Sequence, residues 1–152
     1  MHTRRQMMQR SAAVAGLLGG LGLLPQSAQA AWHSAAFDAK SLPDLLKARG
    51  ASAPPQSGAV TITGPDIAEN GAVVPVGCST TAAGVKQMLI LVEKNPNLLA
   101  AVFDVNDAVE ANFLTRVKMG QSSNVMAVAL TADNKVLFAQ KEIKVTLGGC
   151  GG

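Results

Sequence analysis

The most reactive side chains in this sequence are two cysteines, Cys78 and Cys150, and the second has an unusual setting. Cys150 stands between two glycine pairs, Gly148-Gly149 and Gly151-Gly152. Glycine removes steric cover and widens the allowed backbone angles, so this stretch reads as a flexible arm with an open thiol. The arm reaches roughly 10 Å from Leu147 to Cys150 when extended, or about 20 Å if the preceding strand frays back to Lys144. A thiolate is the nucleophile, and an ordinary cysteine titrates near 8.5, so only a few per cent is ionised near neutrality. Nothing on the arm lowers that value, and the adjacent terminal carboxylate opposes ionisation. Such a thiol stays inert until another protein supplies an activating environment, which is the behaviour expected of a covalent carrier.

Other chemistries find little support. Hydrolysis through a Ser-His-Asp or Cys-His centre needs a positioned base, and beyond the first thirty residues the only histidine is His33. His33, Cys78, Cys150, Met88, Met119 and Met126 show no metal-ligand spacing. The three methionines fall within strand patterns and suit core packing. No glycine-rich loop joins a strand to a helix in the phosphate-binding manner. The chain therefore reads as a non-enzyme with no catalytic residues, no metal and no cofactor of its own. Cys78 reads as a small buried apolar residue. A disulfide between Cys78 and Cys150 is the alternative, which glycine neighbours do not favour. Prenylation needs three residues after the cysteine, whereas two follow Cys150. A merely frayed end is the blandest alternative, although an exposed thiol in an oxidising space is a liability.

The compartment is argued from the first thirty residues. Arg4, Arg5 and Arg10 precede an apolar run from about Ala12 to Leu24, and Ala28-Gln29-Ala30 is a small-x-small cleavage site. The run is too short to span a bilayer comfortably. Paired arginines and many Ala and Gly residues match a twin-arginine export signal, and hence a periplasm; an ordinary Sec signal is the alternative. The expected organisation is a cleaved signal at 1–30, a carrier domain at 31–147 and a thiol-bearing arm at 148–152. The whole chain of 152 residues carries +3. The signal holds three of the thirteen Lys and Arg and none of the ten Asp and Glu, which leaves ten of each. The basic balance therefore gives no reason to expect a nucleic-acid partner, and no second apolar run suggests a membrane one.

The arm needs a scaffold, and the remaining pattern supplies it. "KSLPDLLKARG" reads as a short helix capped by Ser41 and stopped at Gly50. After it the apolar period changes to two. "AVTIT", "AVVPVGC", "QMLILVE", "LLAAVFDV", "NFLTRVKM" and "NVMAVALT" read as strands, and "KVLFAQKEIKVTL" as one long bent strand or two short ones. "PDIAENG" reads as a turn around Asn70-Gly71. Pro75 predicts an edge position or a bulge. The sum is a mainly β, immunoglobulin-like antiparallel sandwich of about seven strands, with a short N-terminal helix and a C-terminal arm.

These residues resemble a known family. The terminal "KVTLGGCGG" is similar to the signature of SoxY, the sulfur-carrier subunit of the bacterial thiosulfate-oxidising (Sox) system. "DIAENGAVVPV", "EKNPNLLAAVFDV", "TRVKMGQSSNVMAVA" and the leader resemble it too. The resemblance implies that Cys150 carries thiosulfate-derived sulfur, first as a cysteine S-thiosulfonate and then as a persulfide. It implies a heterodimer with a SoxZ-like subunit. The implied partners are the c-type cytochrome complex SoxAX, the hydrolase SoxB and a sulfur dehydrogenase, SoxCD. Two other functions stay open on the residues alone: a ubiquitin-like donor using Gly151-Gly152, and a structural module that cross-links chains through Cys150.

Overall fold

A computed structural model of the protein describes residues 34–51 and 58–147. Two short helices come first, α1 (Ser34–Asp38) and α2 (Leu42–Ala48). The sequence pattern foresees α2 but not α1. Ser41 is extended at φ −136° and ψ 156°, and its hydroxyl accepts the Asp44 N–H at 3.3 Å. That contact satisfies one of the donors a helix start leaves unpaired. Gly50, at φ +68°, ends the helix in a conformation that costs other residues.

Eight strands follow: β1 (Val60–Thr63), β2 (Ile67–Asn70), β3 (Val74–Thr80), β4 (Val85–Val92), β5 (Leu99–Asp104), β6 (Asn112–Val117), β7 (Ser123–Thr131) and β8 (Val136–Leu147). They form a three-stranded sheet, β1-β3-β6, and a five-stranded sheet, β2-β8-β7-β4-β5. The expected sandwich is present, and β6 alternates as the pattern requires, with Leu114 and Arg116 outward and Val117 buried.

Val74, Val76 and Cys78 of the smaller sheet face Met88, Ile90, Val92, Val125, Ala127 and Ile143 of the larger one. The far side of the larger sheet is covered in turn. Leu45 and Leu46 of α2 pack with Leu89, Leu91, Met126 and Val128. Strands β4 and β7 are thus buried on both faces. This explains why "QMLILVE" is an unbroken apolar run rather than an alternating one. Beside them, Phe103 of β5 and Phe113 of β6 stack with centroids 4.4 Å apart. They close the gap between the edge strands of the two sheets.

Two expectations need correction. Among the described residues the strands number eight, because "PDIAENG" is not only a turn: Ile67–Asn70 is strand β2. The sandwich is not wholly antiparallel, because β2 runs parallel to β8 in the register Ile67↔Lys144, Ala68↔Val145 and Asn70↔Leu147. Pro75 lies in the central strand of its sheet but, as expected, at an edge position within it. Its missing N–H is tolerated because β1 pairs only with Gly77–Thr80, so β3 has a neighbour on one side alone at Pro75. The final segment is one continuous strand of 12 residues.

Candidate functional site: the root of the thiol arm

The sequence-predicted site residues Cys150, Gly148, Gly149, Gly151 and Gly152 lie outside the described residues, as do His33 and the 1–30 signal. The structure does describe the root from which the arm continues. Leu147 is 69% exposed, although its neighbour at i−4, Ile143, is fully buried. Strand β8 therefore passes from core to surface within two periods of its alternation.

The root is held on both sides. On the β2 side, the Lys144 N–H donates to the Asp66 carbonyl at 3.0 Å, and the Gly71 N–H donates to the Leu147 carbonyl at 2.8 Å. The Thr146 hydroxyl donates to the Glu69 carbonyl at 3.0 Å. On the other side, the Val145 N–H donates to Ser122 Oγ at 2.9 Å. Gly71 extends the tie, since its carbonyl accepts the Met119 N–H at 2.7 Å. The Lys141 ammonium donates to the Gly64 carbonyl at 2.7 Å and pairs with Asp66 at 2.8 Å. That pairing holds the Asp66 carboxyl below its ordinary value, chiefly through the hydrogen bond. Fraying back to Lys144, which would double the reach, breaks this set of contacts. These contacts hold β8 in place as far as Leu147.

Sequence reasoning missed these positioning residues. Ser122, Thr146 and Gly71 carry no chemical signature, and the strand that brings Gly71 to Leu147 was read as a turn.

The other thiol is chemically silent. Cys78 is 2% exposed in the centre of β3 and is a free cysteine. Burial pushes its pKa up to about 11, because a thiolate there loses its hydration. This matches the expectation of a small buried apolar residue. Met88, Met119 and Met126 are core residues, as expected. Among the described residues, no group of three or more His, Cys, Asp or Glu side chains is placed to hold a metal ion. No described helix is long and apolar enough to cross a membrane.

The chain is similar to known proteins in sequence and fold. The family model described as sulfur oxidation protein SoxY matches residues 46–150. The solved structure of the sulfur carrier protein SoxY from Chlorobium limicola f. thiosulfatophilum is 34% identical; the match covers 70% of this chain and 96% of that one, with a TM-score of 0.62. A superoxide reductase (neelaredoxin) from Ignicoccus hospitalis is 18% identical over 57% of this chain and 78% of its own, with a TM-score of 0.51. That likeness is one of fold alone. No curated protein sequence matches the chain. The family match runs from α2 through every strand and ends on Cys150 itself. By that match, and by the likeness to a solved member over nearly all of that member's length, this chain belongs to the SoxY family of sulfur oxidation proteins.

Proposed function

We propose that this chain is a periplasmic sulfur carrier, exported by the twin-arginine route, that holds thiosulfate-derived groups on Cys150 and presents them to partner enzymes. The observation that carries the reading is the family match ending on Cys150, next to a strand end held up to Leu147, the residue before the glycines.

In the loading step, the Cys150 thiol and thiosulfate join through a new S–S bond to give a cysteine S-thiosulfonate. One proton and two electrons leave; the electrons pass to the c-type cytochrome complex SoxAX. In the next step SoxB adds water across the terminal S–S bond. Sulfate departs, one proton is released, and Cys150 is left as a persulfide. SoxCD oxidises that sulfur for a further hydrolysis where such a dehydrogenase is present. The chain itself is substrate in each step, not catalyst, and needs no cofactor beyond the sulfur it carries.

A SoxZ-like subunit completes the carrier as a heterodimer. The open edges of the two sheets give such a partner a structural role, since unpaired strand edges are liable to wrong pairing. The buried state of Cys78 supports a one-thiol scheme, because no second described thiol is free to trap the arm. The ubiquitin-like alternative gains nothing from the fold, whose two described helices span only five and seven residues.

The test is Cys150→Ser in a strain that respires on thiosulfate. The expected result is loss of thiosulfate-dependent oxygen uptake to the level of a strain lacking the protein. The thermal midpoint should stay unchanged. Retained respiration contradicts the assignment.

A further inference from the structure

A second site lies at the opposite end of β8 from the arm. The strand spans Val136 to Leu147, so the two ends are separated by roughly 35 Å. Here a pocket of about 280 Å³ is lined by Arg49, Lys86 and Lys135, together with Gln87, Thr131 and Asn134 among others. Three cations and no carboxylate line it. Two carboxylates stand beside the lining: Asp133, which pairs with Lys135 at 2.7 Å and accepts the Thr131 hydroxyl, and Asp104, which accepts from Gln87. Counting both, the neighbourhood keeps an excess of one positive charge.

Two features suggest that this is more than a chance grouping of surface cations. The first is an orphaned donor. The Arg49 Nε–H is buried and has no hydrogen-bond partner, while Nη1 of the same guanidinium donates to Gln87 Oε1 at 3.0 Å. Gln87 is fixed in turn, since its Nε2 donates to Asp104 at 2.6 Å. The guanidinium is thus held on one corner with its Nε–H unspent. A buried N–H without a partner is costly, and a planar guanidinium matches the paired oxygens of an oxyanion.

The second feature is a break in the β4 pattern. Val85 and Met88 both belong to the sandwich core, although they stand three residues apart. The register against β7 shifts between Val85 and Gln87, which makes Lys86 the extra residue of a bulge. A bulge redirects side chains, and this one brings Lys86 to the same pocket as Arg49 and Gln87. A regular strand would separate Lys86 and Gln87 onto opposite faces.

We propose that this pocket, built on Arg49, Lys86 and Lys135, is a binding site for a small inorganic oxyanion of the sulfate, thiosulfate or phosphate type. The anion is held electrostatically by the Arg49 guanidinium and the two lysines, and a small shift of that guanidinium on binding brings its Nε–H to the anion as a charge-assisted hydrogen bond. The site does not depend on the carrier reading, because none of its residues belongs to the arm or its root.

The test is an NMR titration of the full chain that follows the Arg49 Nε–Hε resonance. Sulfate, thiosulfate and phosphate are added separately against a sodium chloride control of equal ionic strength. A saturable shift with at least one of the three, absent with chloride, is the expected result, and the three curves rank the ligands. Lys86→Gln and Lys135→Gln, both at exposed positions, should each weaken binding about two- to fivefold. In Cys150→Ser the titration should be unchanged, whatever that variant does to respiration. Absence of a saturable shift up to about 50 mM of every oxyanion overturns the proposal. So does an equal response in the Lys86→Gln, Lys135→Gln double variant.

Discussion

At the residue scale the account is a contrast between two thiols. Cys78 holds its proton to about pH 11 because burial penalises the thiolate. Alkylation of the native protein at pH 8 should therefore label Cys150 and spare Cys78, which becomes reactive only in denaturant; labelling of both in the native state contradicts this. The same shift has a stability consequence. A folded-state pKa raised above the unfolded value near 9 gives a contribution that is whole below pH 9 and lost as pH rises through about 11. Urea unfolding between pH 8 and 11 should show that decline, and Cys78→Ala should flatten it. Gly77 offers a steric prediction beside Cys78. A Cβ there would collide with Thr63 Oγ1 and sit 3.2 Å from the Phe113 carbonyl. Gly77→Ala should cost about 1–3 kcal/mol in chemical denaturation. The buried place of Cys78 was legible in the sequence from its setting in an apolar strand. Gly77 was not, since its constraint comes from a side chain on one neighbouring strand and a backbone carbonyl on the other.

At the element scale the decisive strand is the one the sequence concealed. In β2 only Ala68 is buried, so "IAEN" shows no apolar alternation. Its partner on β8 lies 77 residues away, as in the Thr146–Glu69 contact, and parallel pairing leaves no local turn to read. Yet β2 fixes where the arm begins. Ser122→Ala removes the acceptor for the Val145 N–H and should cost about 1 kcal/mol. Hydrogen exchange should then speed up at Val145 and its neighbours in β8, while β4 amides change only by the global amount. A uniform change along β8 and β4 contradicts a local clamp. By contrast, β4 and β7 were readable because burial on both faces leaves almost no polar position. Leu89→Ala, under α2, should cost about 2–5 kcal/mol in urea unfolding.

At the scale of the whole molecule, the fold gives the end of β8 a braced base. The sandwich core and the helix-covered face lock β8 from Val136 to Ile143, and the β2 clamp extends that rigidity to Leu147. Export belongs to this scale too. Replacing Arg4 and Arg5 by lysine keeps the charge but removes the arginine pair that the twin-arginine route requires. The variant should accumulate in the cytoplasm as uncleaved chain on cell fractionation; normal export and cleavage would point to the Sec route.

The central claim is that one thiol, at Cys150, carries the sulfur. Intact-mass and peptide-level mass spectrometry of the protein from thiosulfate-grown cells tests it most directly. The account predicts thiosulfonate and persulfide adducts confined to the Cys150 peptide, all of them absent from Cys150→Ser. Adducts elsewhere on the chain, or a Cys150 found only in a disulfide with Cys78, would contradict it.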